Sequence, residues 1–337
     1  MANLQTSFMD ININSPIMVG ACNLLDNVDE AIKIEENGAG AVVYKTLFEE
    51  QVELENLQLK EIAEEYSERH AEMISIFPTF KHFGPEAHLK KLKDLKKTLK
   101  IPVIASLNCV TNETWIDYSK KIEQTGADGI ELNFYSAPSK SDKKFNEIEY
   151  NQLKTLEALR NSVKIPLSVK LSYFYTNILS VVKKMDNIGV NGFVLFHRLF
   201  QPDIDIKNLN YFYPAQVSCE HENRIPLRWT GIVYGNINGD ICSSTGIYSS
   251  KDTIKMLLSG ASCVQTVSAL YKNSSDYIKT LLKELNLWMD DQKFNQISDI
   301  KGKLAKINIK DPFFYERSQY IDILTKNETI IKKEFAR

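Results

Sequence analysis

Short apolar runs recur along the chain, and they begin in one of two ways. Three runs follow a proline, at residues 15–21 (SPIMVGA), 101–107 (IPVIASL) and 165–171 (IPLSVKL). Four runs follow Gly-Ala or Gly-Val, at residues 38–45 (GAGAVVYK), 126–133 (GADGIELN), 189–196 (GVNGFVLF) and 260–266 (GASCVQT). Proline suits the first position of a strand, and glycine suits the end of a helix. The pattern therefore predicts strands that alternate with helices.

The segments between these strands have helical spacing. A lysine-rich segment, for example, places four leucines on one face of a helix: Leu89, Leu92, Leu95 and Leu99. A further short strand at residues 239–244 brings the predicted total to eight. Apolar strands that alternate with helices indicate a parallel sheet covered on both faces. Eight such units in 337 residues predict a (β/α)8 barrel, the TIM barrel, with a doubly wound sheet as the alternative.

The predicted barrel carries three additions. Residues 6–13 have the pattern of a short strand or hairpin ahead of the first barrel strand. Residues 47–84 form a long insertion after the second strand, and we expect it to be a lid because loops of this length usually cover a site. Residues 1–310 are predicted to form one barrel domain, and residues 311–337 a C-terminal extension with a frayed end.

Composition narrows the possible partners. The formal charge is −2 with lysine and glutamate interspersed, which gives no electrostatic footprint for nucleic acid. No segment approaches the roughly 20 apolar residues of a membrane span, and the N-terminus lacks the apolar core of a signal peptide, so we expect a cytoplasmic protein. The five cysteines are widely spaced, and neither they nor the histidines show ligand spacing, so we expect reduced thiols and no metal.

The active site of such a barrel lies at the carboxyl ends of its strands, so polar residues at those positions are site candidates. Two lysines, Lys45 and Lys170, are among them. The segments around Thr245-Gly246 and 266–268 follow the seventh and eighth strands, where this fold usually binds phosphate. We therefore expect a phosphorylated ligand, with a plain capped loop as the alternative.

Five runs are specific in combination: LFEEQVE (residues 47–53), LFHRLFQPDIDI (195–206), PLRW (226–229), STGIYSSKD (244–252) and SALY (268–271). With them the sequence resembles the dihydroorotate dehydrogenase family from Thr6 to about Leu285, and more closely its dihydroorotate dehydrogenase-like subgroup. The resemblance implies an FMN-binding barrel of pyrimidine biosynthesis that forms a homodimer. Its reaction would be the oxidation of dihydroorotate to orotate, or of a related dihydropyrimidine.

By position, the resemblance also implies roles for particular residues. Lys45 and Lys170 would act beside the flavin, and Ser136, three residues after Asn133, would be the base that removes a proton from the substrate. A cation near the N1-C2 edge of the flavin makes chemical sense because it stabilises the negative charge that arrives with a hydride. The implied cofactor-binding residues are Ala21, Cys22, Lys45, Thr46, Asn108, Asn133, Lys170, Ser218, Thr245, Gly246, Thr266, Val267 and Ser268.

The sequence departs from the family pattern at the residues that would bind the substrate. Ala137-Pro138 follow Ser136 where the family has proline and then asparagine, and the insertion lacks the asparagine-rich orotate loop. His197-Arg198 replace a substrate asparagine; with Asn133 they are candidates to bind an anionic substrate, and a structural His-Arg pair is the alternative. Two other functions stay open: a flavin-binding homologue without this activity, and a flavin-free lyase or isomerase that forms a Schiff base on Lys170 or Lys45.

Overall fold

The computed structural model describes residues 2–54, 85–135, 146–198, 202–212 and 217–316. Its first element is the predicted hairpin, formed by β1 (Thr6–Phe8) and β2 (Ile11–Ile13). Phe8 and Met9 of this hairpin are fully buried against residues at the amino ends of the barrel strands. Two strand glycines leave room for them, since a Cβ at Gly129 would lie 2.7 Å from Met9 Cε. The hairpin thus closes the end of the barrel opposite the predicted site.

Eight parallel strands close into a barrel, which confirms the predicted (β/α)8 fold. The last strand pairs with the first, through Val264 beside Ile17, so the sheet has no edge. The barrel strands are β3 (Ile17–Val19), β4 (Ala41–Phe48), β5 (Val103–Asn108), β6 (Gly129–Phe134), β7 (Leu167–Leu171), β8 (Gly192–Leu195), β11 (Asp240–Ser244) and β12 (Cys263–Thr266). Between β8 and β11 lies an exposed hairpin that the sequence analysis missed, β9 (Asp203–Asp205) with β10 (Asn210–Phe212).

Helices cover the outside of the barrel and bury one apolar stripe each. They are α1 (Val28–Glu36), α2 (Pro85–Thr98), α3 (Asn112–Glu123), α4 (Glu147–Ser162), α5 (Ile178–Ile188), α6 (Arg224–Val233), α7 (Ser250–Ser259), α8 (Ser268–Asn273) and α9 (Tyr277–Asp291). In α2, the predicted leucine face is buried at Leu92 and Leu95. In α7, Ser249 is the cap, because its hydroxyl accepts from Asp252 N while the Asp252 carboxylate accepts from Ser249 N. None of the described helices is long and apolar enough to cross a membrane.

The second barrel strand runs further than the sequence pattern predicted. β4 continues to Phe48, although the insertion was expected to begin at Leu47. The register of β4 with β5 shifts between Tyr44 and Leu47. Such a shift lets a strand continue after a local break in pairing. Residues 49–54 are helical, and residues 55–84, which hold most of the expected lid, lie outside the described residues. The predicted division at residue 310 remains a prediction, since only residues 311–316 of the extension are described.

Candidate active site

A cavity of about 590 Å³ opens at the carboxyl ends of the barrel strands. All parallel strands of a barrel point the same way, so residues that are far apart in sequence meet on this rim. Most of the predicted site residues line the cavity: Ala21, Cys22, Lys45, Thr46, Asn133, Lys170, His197, Arg198, Ser218, Thr245, Gly246, Thr266, Val267 and Ser268. The rim therefore brings the lysines and both expected phosphate-binding segments to one place.

Of the predicted site residues that the structure describes, Asn108 is not found in this cavity. Asn108 ends β5 opposite Phe48 and does not line the cavity. Ser106, two residues earlier on the same strand, contacts the site instead, because its hydroxyl bonds Asn133 and Thr46. Ser136 lies outside the described residues, so its role as a base remains a prediction.

Asn133 is held at the end of β6 by a short hydrogen-bond chain. Its Nδ2 donates to Ser106 Oγ at 2.7 Å and to the Leu107 carbonyl at 3.3 Å. Ser106 Oγ in turn lies 2.8 Å from Thr46 Oγ1 on β4. Since both amide hydrogens point at fixed acceptors, the side-chain oxygen of Asn133 is the atom left to face a ligand.

Lys45 is paired with an acidic residue that the sequence analysis did not single out. Its Nζ lies 2.8 Å from Asp26 Oδ2, and each side chain is 31% exposed. Asp26 also accepts a hydrogen bond from the Tyr44 hydroxyl at 3.4 Å. Burial, together with the Asp26 charge, raises the pKa of Tyr44 well above its ordinary value, so the phenol stays protonated. A ligand carboxylate has to compete with Asp26 for Lys45.

Lys170 belongs to a buried polar cluster at the floor of the cavity. Its Nζ donates to Gln265 Oε1 at 2.8 Å and to Glu131 Oε1 at 3.2 Å. Gln265 Nε2 donates to Glu131 Oε2 at 2.5 Å, which closes the ring of three side chains. Glu131 is 1% exposed and does not line the cavity, whereas Lys170 and Gln265 do. The carboxylate therefore lies beneath the lysine.

Glu131 and Gln265 were not predicted from the sequence to belong to the site, although a signal was present. Both stand inside otherwise apolar strands, GIELN and CVQT, at positions that alternate with outward-facing Ile130, Leu132 and Val264. A charged residue at an inward strand position is buried and needs a partner. Phe48, Gln51, Ser244 and Ile247 also line the cavity and were not predicted to do so.

At the expected phosphate end, three loops are tied together by hydroxyl groups. Ser218 Oγ lies 3.1 Å from Ser268 Oγ and accepts from Gly246 N at 3.4 Å. Thr245 and Gly246 both have positive φ, at 78° and 73°. A Cβ on Gly246 would lie 2.6 Å from Asn223 N, so only glycine fits there without a shift of backbone. The turn at Gly246 is therefore packed tightly against the backbone of residues 219–223 beside the cavity.

His197 and Arg198 line the cavity but do not act as a pair of cations. Burial, and then the charge of Lys170, lower the pKa of His197 to about 4, and a hydrogen bond to the Phe134 carbonyl acts in the opposite direction. The imidazole is therefore neutral at pH 7. Arg198 Nε lies 3.1 Å from both carboxylate oxygens of Glu222. The Arg198–Glu222 ion pair agrees with the structural alternative, and the anion-binding role of the two residues remains a prediction.

Cys22 contributes a protonated thiol to the cavity. Burial raises its pKa to about 11, although backbone hydrogen bonds and the charge of Lys170 act in the opposite direction. Among the described residues, no group of three or more histidine, cysteine, aspartate or glutamate side chains is arranged to hold a metal ion. The chemistry that these residues offer is therefore that of two lysines, an amide, hydroxyl groups and backbone N–H donors around one cavity.

The fold and site define a (β/α)8-barrel enzyme with its cavity at the strand carboxyl ends. A sequence profile described as dihydroorotate dehydrogenase matches residues 3–289, and the chain belongs to this family. Two relatives are named dihydroorotate dehydrogenase B (NAD(+)), catalytic subunit. The protein from Thermoplasma acidophilum is 26% identical over 314 residues, which cover 90% of this chain and 99% of the relative. The protein from Methanocaldococcus jannaschii is also 26% identical, over 86% of this chain and 96% of the relative.

Family membership confirms the resemblance and the prediction of an oxidoreductase of the dihydroorotate dehydrogenase type. The more specific assignment to the dihydroorotate dehydrogenase-like subgroup remains a prediction. The roles of the individual site residues also remain predictions, now attached to a described cavity.

Proposed function

We propose that this chain is an FMN-dependent oxidoreductase that oxidises dihydroorotate or a related dihydropyrimidine. The observation that carries the proposal is the cavity itself, which collects almost all of the flavin-binding positions implied by the family. The relatives carry the name dihydroorotate dehydrogenase, which supports the substrate class for this chain.

The residues present fit both the phosphate and the ring system of FMN. The Thr245-Gly246 and Val267-Ser268 segments follow the last two barrel strands and line the cavity, where their backbone can meet a phosphate. Ser218 and Ser268 add hydroxyl groups at the same place. Lys45 and Lys170 line the same cavity and supply cations for the electron-poor ring system. A ligand with a phosphate and a redox-active ring matches this set of residues.

When bound, FMN supplies hydride-accepting chemistry. Lys170, held at the cavity floor by Glu131 and Gln265, would stabilise the negative charge that a hydride brings to the bound flavin. Asn133 offers its side-chain oxygen to an N–H group, such as those of a dihydropyrimidine ring. Ser136 is the proposed base, and a serine in this role needs a relay to take its proton because its hydroxyl is a weak base.

The structure gives no support to the Schiff-base alternative. A lysine that forms a Schiff base attacks as the neutral amine. Lys45 is paired with Asp26 at 2.8 Å, and Lys170 with Glu131 at 3.2 Å, so a carbonyl substrate would have to break an ion pair to reach either nitrogen.

The visible spectrum of the purified protein, followed by anaerobic titration with dihydroorotate, tests the proposal. We expect a yellow protein with flavin absorbance, which bleaches as dihydroorotate reduces the flavin. Titration with dihydrouracil under the same conditions separates the carboxylated substrate from an uncharged dihydropyrimidine. A colourless protein that takes up no FMN would refute cofactor and function together. A yellow protein that bleaches with neither substrate would leave a flavin-binding homologue without this activity.

We also propose a homodimer in the cytoplasm, with residues 1–310 as one domain and residues 311–337 as an extension. The relatives are named as catalytic subunits, so their names refer to an assembly with another subunit. Light scattering of the purified chain tests the homodimer, and a mass equal to one 38.6 kDa chain would reject it.

A further inference from the structure

The floor of the cavity is a hydrogen-bonded ring that spans the barrel. In the strand order of the barrel, β6 with Glu131 and β12 with Gln265 stand four positions apart, on opposite sides. Gln265 Nε2 nevertheless donates to Glu131 Oε2 at 2.5 Å, and Lys170 on β7 bonds both residues. The ring therefore crosses the barrel and separates the cavity from the apolar interior.

The ring satisfies most of the buried polar atoms in it. Each oxygen of the Glu131 carboxylate accepts one bond, from Lys170 Nζ at Oε1 and from Gln265 Nε2 at Oε2. The Lys170 side chain is only 11% exposed and that of Glu131 only 1%. A buried ammonium is costly unless a carboxylate compensates its charge, and Glu131 is the carboxylate within contact distance.

The geometry also assigns a direction to the lysine. An ammonium group has three N–H bonds, and Glu131 and Gln265 take two of them from below. Within the described ranges, the third N–H of Lys170 has no protein acceptor, and Lys170 lines the cavity. We propose that Glu131 and Gln265 are positioning residues that keep Lys170 protonated and direct its third N–H at the flavin ring. This inference rests on the proposed FMN site.

Other titratable groups also face Lys170. His197, after β8, and Cys22, after β3, both interact electrostatically with it. His197 is neutral and Cys22 protonated at pH 7, so neither compensates the lysine charge. Lys45 lines the same cavity, where it is paired with Asp26. Glu131 is thus the group whose removal changes the protonation of Lys170.

Sulfite binding to the FMN-loaded protein is a direct test. Sulfite adds reversibly to the flavin N5 and leaves negative charge near N1, so its affinity reports a fixed cation at that edge. We expect wild-type affinity, corrected for protonation of sulfite itself, to stay constant from about pH 6.5 to about pH 9.5. In Glu131→Gln, the sulfite affinity should fall at least about tenfold as the pH rises through this range, because the buried lysine releases its proton. Lys170→Met should bind weakly throughout.

Two further variants complete this test. Gln265→Met retains the Glu131–Lys170 pair, so we expect a flat pH profile with affinity about threefold weaker, since the lysine is less firmly directed. Glu36→Gln removes one exposed carboxylate at the end of α1, far from the cavity, and should match the wild type. If Glu131→Gln bound sulfite with wild-type affinity at every pH, the role of Glu131 would be overturned. If Gln265→Met bound sulfite with unchanged affinity, the role of Gln265 would be overturned.

A measurement without flavin separates this inference from the proposed function. In Glu131→Gln, the folded state binds fewer protons than the unfolded state once Lys170 is neutral, so its stability should rise with pH relative to the wild type. The gap between the two unfolding free energies therefore narrows from about pH 7 to about pH 9.5. The rise should be absent from the double variant Glu131→Gln/Lys170→Met, which has no buried lysine to release a proton. A wild type that takes up no FMN would refute the function, and this gap would still decide the inference.

Discussion

Glu49, just after β4, should stabilise the fold through its negative charge. Its side chain is buried and accepts from Val110 N at 2.5 Å, Thr111 N at 3.0 Å, Thr114 Oγ1 at 2.8 Å and Thr111 Oγ1 at 3.3 Å. Thr111 is the N-cap of α3, so the carboxylate also faces the positive end of that helix. Phe48 and Gln51, on either side of it, line the cavity. The contact ties the base of the insertion to the next strand and to the site.

Glu49→Gln keeps the shape of the side chain and removes its charge. Charge-assisted hydrogen bonds are roughly twice as strong as neutral ones, which gives about 1–1.5 kcal/mol here, and the helix end adds about 0.5 kcal/mol. We therefore expect the variant to lose about 2 kcal/mol of unfolding free energy at neutral pH, measured by urea denaturation. Glu50→Gln, at the neighbouring exposed position, is the matched control and should lie within about 0.5 kcal/mol of the wild type.

The pH dependence of this difference has a defined sign. Burial alone would raise the pKa of Glu49, but the hydrogen bonds from Val110, Thr111 and Thr114 hold it below its ordinary value of 4.5. A lowered folded-state pKa contributes stability that is present above the unfolded value and is lost as pH falls through the folded one. The gap between wild type and Glu49→Gln should thus be smaller at about pH 4 than at about pH 7. A gap below about 0.5 kcal/mol at neutral pH, or one that widens in acid, would refute this reasoning.

Three further predictions concern the cavity. Asp26→Asn frees Lys45 from a partly exposed ion pair, so orotate should bind about threefold tighter in a flavin-perturbation titration, and equal or weaker binding would contradict the competition. Gly246→Ala forces a side chain against the backbone of Asn223 at positive φ and so shifts the turn, and the apoprotein should bind FMN at least about tenfold more weakly by fluorescence titration; unchanged affinity would contradict a role of this turn in holding the phosphate. Cys22, whose pKa burial raises to about 11, should resist iodoacetamide at about pH 8 while exposed Cys219 reacts, as peptide mass mapping would show; equal labelling would contradict the raised pKa.

The sequence by itself determined the strands and most of the rim. Proline before a strand and glycine after a helix are local signals, and each of the eight predicted strands is present. Because parallel strands share a direction, the residues that end them had to meet, and Lys45, Asn133 and Lys170 do meet in one cavity. The extent of β4 was less predictable, since its continuation to Phe48 depends on a register shift against β5.

Only the tertiary structure decided which partner each charge has. Glu131 and Gln265 are 134 positions apart, and their hydrogen bond exists because closure of the barrel brings opposite strands within side-chain reach. Arg198 could be recognised as a cation from the sequence, yet its bond to Glu222 depends on how two loops pack. A pattern of apolar and polar residues fixes which side chains point inward, but contacts across a barrel depend on its closure and register. That closure places the carboxylate of Glu131 beneath Lys170.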